Sequence, residues 1–338
     1  MKTNQIALLA VAIIIIIACV GGIYILSDKN KDNSNRGVAL SDSDYYPVTV
    51  STTVAGIEYH QTFTKKPERV ITVRPENLEL LISFGLEDIV VGAFANDTYR
   101  TLDKDLQDEF DAFEKTPVGA VIPLELVLSL NPDFILGWAS TFNSGGGLIG
   151  NIDMLNGYGI NCFVTNRPSS SVEDYLKIIE TVGIIFNTNE ISAQKIAEWD
   201  IRLANIREKT ANINESEKVT AIVIEDGAYD GAYYVYGSNF LTGDLITQAG
   251  GINAYDGSMD LLTPEKIVSL NPDVIFLMIW DIQKTDPDQA ISEFKATPGF
   301  ASMTDDVVAF PFQELYMGGI LSETILDKMF EVMYPELV

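Results

Sequence analysis

One pattern occurs twice in this chain. Glu125-Leu-Val-Leu-Ser-Leu-Asn-Pro-Asp133 leads into the apolar Phe134-Ile-Leu136, and Glu265-Lys-Ile-Val-Ser-Leu-Asn-Pro-Asp273 leads into Val274-Ile-Phe-Leu277. The copies lie 140 residues apart and keep Glu, Ser-Leu-Asn-Pro-Asp and the apolar run in register. In each, the residues from Glu to Leu carry apolar side chains at helical spacing. The asparagine before proline is biased out of the α region, so the helix ends there. The apolar run that follows has the length of one core strand. Solenoid repeats recur every 20–50 residues or so, far closer than this, so the spacing predicts a duplicated α/β lobe.

A chain of 338 residues is long enough for two such lobes, each with its own core. Apolar content of 47% and charged content of 21% are those of a globular protein. The net charge is -26, and residues 1–44 hold four basic and four acidic side chains, so the whole imbalance falls on residues 45–338. An acidic surface argues against nucleic acid, which needs a cationic footprint. It suits solubility, a salty habitat or steering towards a basic partner. The single histidine, His60, excludes a histidine-rich metal site. It lies in an alternating segment that reads as an edge hairpin, and its role there is structural.

Residues 6–26 carry no charge and are long enough to span a bilayer, with Lys2 the only side-chain cation before them. Residues 1–27 therefore read as a membrane anchor or signal segment. Ile16-Ile-Ala-Cys19 resembles a lipobox, which would make Cys19 a lipidation site. The apolar run continues past Cys19 to residue 26, which favours an uncleaved anchor over a lipid anchor. Either way the body is tethered on the outer face of the cytoplasmic membrane. Residues 28–44, rich in Asp, Asn, Ser, Lys and Gly, read as a flexible linker.

From residue 45 strands alternate with helices, which predicts parallel sheets. Core strands are expected at 69–73, 89–93, 134–138 and 161–165 in a first lobe spanning 45–188. A second lobe, 214–338, has them at 219–224, 274–279 and 307–310. Between them lies a long helical stretch within 189–213, with Ile191, Ile196, Trp199, Leu203 and Ile206 along one side. About 22 residues of helix span about 33 Å, enough to bridge two lobes. The expected architecture is two Rossmann-like α/β lobes joined by one long helix, with a ligand cleft between them.

Ligands of open parallel sheets bind outside the carboxyl ends of the strands. In the first lobe those ends present Arg74, Tyr99, Arg100, Trp138 and Arg167; in the second, Tyr229, Trp280 and Tyr316. Three of only seven arginines fall at these ends, which suits an anionic or carbonyl-rich ligand. The aromatic residues suit a flat or bulky one. No catalytic residue emerges: Gly-x-Ser-x-Gly, Walker and His-Glu-x-x-His signatures are all missing, as is a second histidine for a triad. No resident metal or cofactor is expected.

The assembled pattern resembles the substrate-binding proteins of ABC importers for iron–siderophore complexes, haem and cobalamin. The resemblance rests on Pro67-Glu-Arg-Val-Ile-Thr-Val73 followed by Asn77-Leu-Glu-Leu-Leu81 and Gly85, on Leu86-Glu-Asp-Ile-Val-Val-Gly92, on both Asn-Pro-Asp strands and on Ala249-Gly-Gly-Ile-Asn253. It covers roughly residues 48–335. It implies a rigid connecting helix, little hinge closure, and an exposed glutamate on each lobe that docks onto a dimeric permease; the matching positions are Glu125 and Glu265. Where many relatives carry Ser-Pro after the first strand, this chain has Arg74-Pro75. The function so implied is capture of an iron–siderophore-like metal chelate by a monomeric, tethered protein and its delivery to a permease and its ATPase. Haem or a corrinoid in the same cleft is the alternative. A membrane-anchored carboxylate enzyme or a sensor ectodomain is the alternative from another class.

Overall fold

The structure, a computed structural model, describes residues 42–95, 106–116, 121–142, 149–165, 171–280, 285–316 and 322–338. The chain divides into two units at Tyr45. Of the first unit, one helical turn is described, Asp42–Tyr45. It overlaps the end of the stretch 28–44 expected to be a flexible linker, and its first-turn carboxylates, Asp42 and Asp44, suit a helix N-terminus. The apolar segment 6–26 and Cys19 lie outside the described residues. Among those described, no helix is long and apolar enough to cross a membrane.

The second unit opens with a hairpin of β1 (Val48–Val54) and β2 (Ile57–Phe63). Ala55 and Gly56 both take positive φ at its turn, which matches the twist of the paired strands. Next come β3 (Val70–Val73), α1 (Pro75–Ser83), β4 (Val90–Phe94), α2 (Gln107–Asp111), β5 (Lys115–Thr116), α3 (Leu124–Ser129), β6 (Phe134–Gly137), α4 (Ile152–Gly157) and β7 (Asn161–Val164). The five strands from β3 to β7 form one sheet in the order β5-β4-β3-β6-β7, all parallel. Every residue of β3 and β6 is buried, as expected where helices cover both faces.

The hairpin protects the open edge at β7. Gln61 Oε1 accepts the Cys162 amide at 2.9 Å, and Thr52 Oγ1 accepts the Val164 amide at 2.8 Å. Side chains thereby satisfy an edge that could otherwise pair with another chain. His60 stays on the outer side, its Nδ1 3.0 Å from the Ser51 hydroxyl.

Two packed helices follow, α5 (Val172–Phe186) and α6 (Asn189–Thr210). Beyond them lie β8 (Thr220–Tyr229), β9 (Ala232–Tyr236), α7 (Leu241–Gln248), β10 (Ile252–Asn253), β11 (Met259–Leu262), α8 (Pro264–Leu270), β12 (Val274–Ile279), α9 (Pro287–Ala296), β13 (Val307–Pro311), α10 (Phe312–Tyr316) and α11 (Ser322–Met333). The second sheet runs β11-β9-β8-β12-β13, with β10 also paired to β8. Its β10, β8, β12 and β13 are parallel, as expected, while β9 and β11 extend it as an antiparallel edge.

α6 touches both lobes. Its buried Trp199 meets Tyr175 of α5 edge-on at 6.0 Å, while Arg202 reaches Asp327 at 3.3 Å and Glu323 at 3.5 Å on α11. The bridging role expected from its length is what the contacts display.

The repeated motif builds the same joint twice. Asn131 and Asn271 end α3 and α8 in the left-handed conformation, with φ of 49° and 45°. The following aspartates bind the start of the neighbouring strand. Asp133 accepts the Glu68 and Arg69 amides at 3.0 Å each, and Asp273 accepts the Thr220 amide and hydroxyl at 2.8 and 2.7 Å.

Candidate functional site

The carboxyl ends of the central strands bring four of the eight expected ligand residues into one chain of contacts. Arg74 follows β3 and Trp138 follows β6, so both emerge at the same end of the first sheet. The guanidinium lies over the indole, 5.0 Å from its centroid. Trp138 in turn meets Tyr316, at the end of α10, at 6.3 Å. That ring contact joins the two lobes.

From Tyr316 an aromatic row runs through the second lobe. Tyr316 stacks on Phe312 at 4.5 Å and 19°, and Phe312 stacks on Trp280 at 3.8 Å and 15°. Tyr316 also touches Tyr236 at 6.0 Å and Phe240 at 5.8 Å. Within the row Trp138 and Phe312 are buried, whereas Trp280 is 48% exposed. Such stacked and tilted ring pairs contribute about 0.5–1.5 kcal/mol each beyond their buried area.

Two carboxyl groups flank the row. Glu225 of β8 is buried, and both its oxygens accept hydrogen bonds: from Trp280 Nε1 at 2.6 Å and from the Tyr236 hydroxyl. Burial pushes its carboxyl above the usual range, and the two donors oppose that shift. Glu76, in the first turn of α1, is also buried, and burial pushes its carboxyl up to about 8. Its own amide, the Arg74 guanidinium and the Trp138 indole are close enough to pull the other way, yet neither oxygen completes a hydrogen bond. The buried Nε of Arg74 is likewise without a partner. Arg74 holds its backbone at φ 85° and ψ 145°, a conformation rare outside glycine, directly before Pro75.

Tyr229 does not join the row. It sits at the tip of the β8–β9 hairpin, 65% exposed, with its ring 6.3 Å from Tyr234. The pairing of β8 with β9 at Tyr229 and Ala232 puts it at the turn of the hairpin. Tyr99, Arg100 and Arg167 lie outside the described residues. Glu125 and Glu265 are exposed in the first turns of α3 and α8. At Glu265 the residue's own amide, followed by the Thr263 hydroxyl, holds the carboxyl below its usual range. Among the described residues no cluster of histidine, cysteine, aspartate and glutamate could hold a metal ion.

Residues 70–304 match the family described as periplasmic binding protein, which is more than half of the chain. The chain belongs to that family. An uncharacterized ABC transporter substrate-binding lipoprotein of Bacillus subtilis, YvrC, is 27% identical over 249 residues, covering 73% of this chain and 74% of the relative. A cobalamin-binding protein of Halobacterium salinarum is 27% identical over 223 residues, 63% of this chain; the match spans 54% of that protein's length. The crystal structure of a periplasmic binding protein from Veillonella parvula superposes with a TM-score of 0.75 at 23% identity, covering 86% of this chain and 92% of that one. That likeness is one of fold: two lobes and a long connecting helix.

Tyr236 and Phe312 also lie at the strand ends that the sequence marks in the second lobe, whereas Glu225 and Glu76 of this periplasmic binding protein were not among the candidate residues. Glu225 was within reach of the sequence, since it immediately follows the apolar strand 220–224 just as Arg74 follows 70–73. Glu76 carried no such signal, because an acidic residue after a helix-starting proline ordinarily faces water.

Proposed function

We propose that this protein is the substrate-binding component of an ABC importer and that it captures a metal chelate built on a flat macrocycle, a corrinoid or haem. The observation behind the ligand class is the continuous row Trp138–Tyr316–Phe312–Trp280, which spans both lobes and ends in a half-exposed indole. Planar ring systems stack favourably on such surfaces, and ligand sites are lined mostly by aromatic and apolar groups with few polar ones. The Bacillus and Halobacterium relatives support the importer role and the corrinoid respectively.

A ferric siderophore is the second reading, and Arg74 favours it. Its guanidinium, together with those of Arg100 and Arg167, would meet an anionic chelate by bidentate contacts. In either case the role is binding without catalysis. The body acts as a tethered monomer on the outer face of the cytoplasmic membrane, by an uncleaved anchor or through Cys19. Glu125 and Glu265 dock it on a permease dimer with its ATPase.

The test is a titration of the protein with cobalamin, haemin and a ferric hydroxamate siderophore, followed by ligand absorbance and tryptophan fluorescence. Saturable quenching by cobalamin or haemin supports the macrocycle. Saturation by the siderophore alone replaces it with the second reading. Three flat titrations would sink the metal-chelate assignment.

A further inference from the structure

We infer that Glu225 is a positioning residue: it fixes the Trp280 indole flat against Phe312 and so sets the aromatic face that the second lobe offers to ligand. The consequence for binding rests on the chelate-binding reading above; the positioning itself stands on geometry alone.

The β8–β9 ladder breaks between Ile224 and Ala228, so Glu225 leaves the regular pairing with β9 midway along β8 while it stays in register with Met278 of β12. Bulges of this kind redirect a side chain and recur beside functional sites. Both carboxyl oxygens are then engaged, one by Trp280 Nε1 at 2.6 Å and the other by the Tyr236 hydroxyl. Tyr236 is fully buried and packed edge-on against Phe240 at 4.9 Å. The carboxylate is therefore anchored on its core side and transmits that fixity to a ring whose opposite edge is in solvent. At Asp226 beside it, burial pushes the carboxyl above its usual range and the nearby Trp280 main chain opposes that shift. With its Nε1 held, the indole lies 15° from parallel to Phe312.

The two lobes make this arrangement in opposite chemistry. Val70 pairs with Phe134 and Ala221 with Val274, and Phe134 and Val274 are matching residues of the repeat. Counting on from Val70 and Ala221, Arg74 and Glu225 occupy the same place. Each lobe thus sets a charged residue against a tryptophan: a cation over the ring face in the first, a carboxylate at the ring N–H in the second. Cation–π attraction leaves the guanidinium donors of Arg74 able to meet a ligand, whereas both oxygens of Glu225 are already engaged inside the protein.

The test is fluorine NMR of the full chain labelled with 5-fluorotryptophan. It gives one signal each for Trp138, Trp199 and Trp280, with Trp280 assigned by Trp280→Phe. In Glu225→Ala the Trp280 signal should move towards that of a solvent-exposed, mobile indole while the signal of the fully buried Trp199 stays in place. Glu225→Gln keeps the side-chain volume but loses one acceptor, so it should displace the Trp280 signal less. With cobalamin as probe, the Kd should rise about tenfold in Glu225→Ala. A Trp280 signal unmoved in both variants would overturn the inference. Should the unmutated protein bind no chelate at all, the ligand reading fails while the Trp280 signal still decides the positioning. If Glu225→Ala does not fold, Glu225→Gln carries the test.

Discussion

Arg74 lies over the Trp138 ring at 5.0 Å while its own backbone stands at φ 85°. The contact and the strain belong together: the side chain reaches the indole from a conformation that costs a non-glycine residue about 1–3 kcal/mol. Arg74→Gly and Arg74→Ala both remove the guanidinium, but only glycine is at ease there, at an entropic cost of about 0.5–1 kcal/mol. Arg74→Gly should therefore unfold at a higher denaturant concentration than Arg74→Ala, by about 1 kcal/mol. Equal midpoints would mean that the backbone is not strained in solution.

Glu76 makes stability depend on pH. Its carboxyl has an ordinary value of 4.5 and is pushed up to about 8 by burial, so the folded protein keeps a proton that the unfolded chain releases. Below about 4.5 both states are protonated and the group is neutral to folding. As pH rises from there to about 8 the unfolded state gains, by up to about 1.4 kcal/mol per pH unit. Glu76→Gln should flatten this decline and be the more stable protein at pH 8. Denaturant melts across pH 5–8 would show it; parallel curves for the two proteins would contradict it.

Asp133 and Asp273 do the same work at matching places, each bound to the start of the adjacent strand. Alanine at either should cost about 1–2 kcal/mol, since the lost contacts are charge-assisted but reach solvent. The two share no partner, so the double variant should be additive within about 0.5 kcal/mol. Ligand affinity should hold, because these joints lie at the amino ends of the strands, away from the aromatic row. A large loss of binding in either variant would show that the strand ends are coupled through the sheet.

That separation explains what could be read from the sequence. The Asn-Pro-Asp repeat declared its helix–turn–strand units because local chemistry specifies the turn, where asparagine accepts the left-handed cap; the aspartate's hold on the neighbouring strand is a long-range contact that the repeat did not announce. The rule of strand ends then led to Arg74, Trp138 and Trp280, each one step beyond a strand, and to Tyr316 at the end of the short helix after the last strand. It said nothing of which end groups meet. The Tyr236–Glu225–Trp280 link depends on a hairpin whose second strand has too many glycines and tyrosines around it to stand out. It depends as well on a bulge, which no periodicity announces. The burial of Glu76 is a tertiary outcome in the same sense.

Glu125 and Glu265 carry the final prediction. Both are exposed in the first turn of the helix that runs into the Asn-Pro-Asp joint, so each lies at the end of its helix away from that joint, towards the carboxyl ends of the strands. If they seat the protein on two equivalent basic sites of a permease dimer, Glu125→Ala and Glu265→Ala should each weaken stimulation of the importer's ATPase, and the double variant should abolish most of it. Exposed ion pairs act on orientation and on-rate more than on affinity, so the wild-type effect should fade as salt rises and the double variant's residual activity should not. Chelate binding by the isolated protein should be the same in all four forms, because neither glutamate belongs to the aromatic row. Should both single variants stimulate fully, the two residues serve only the helix N-termini that they occupy. The permease would then recognise some other feature of this acidic surface.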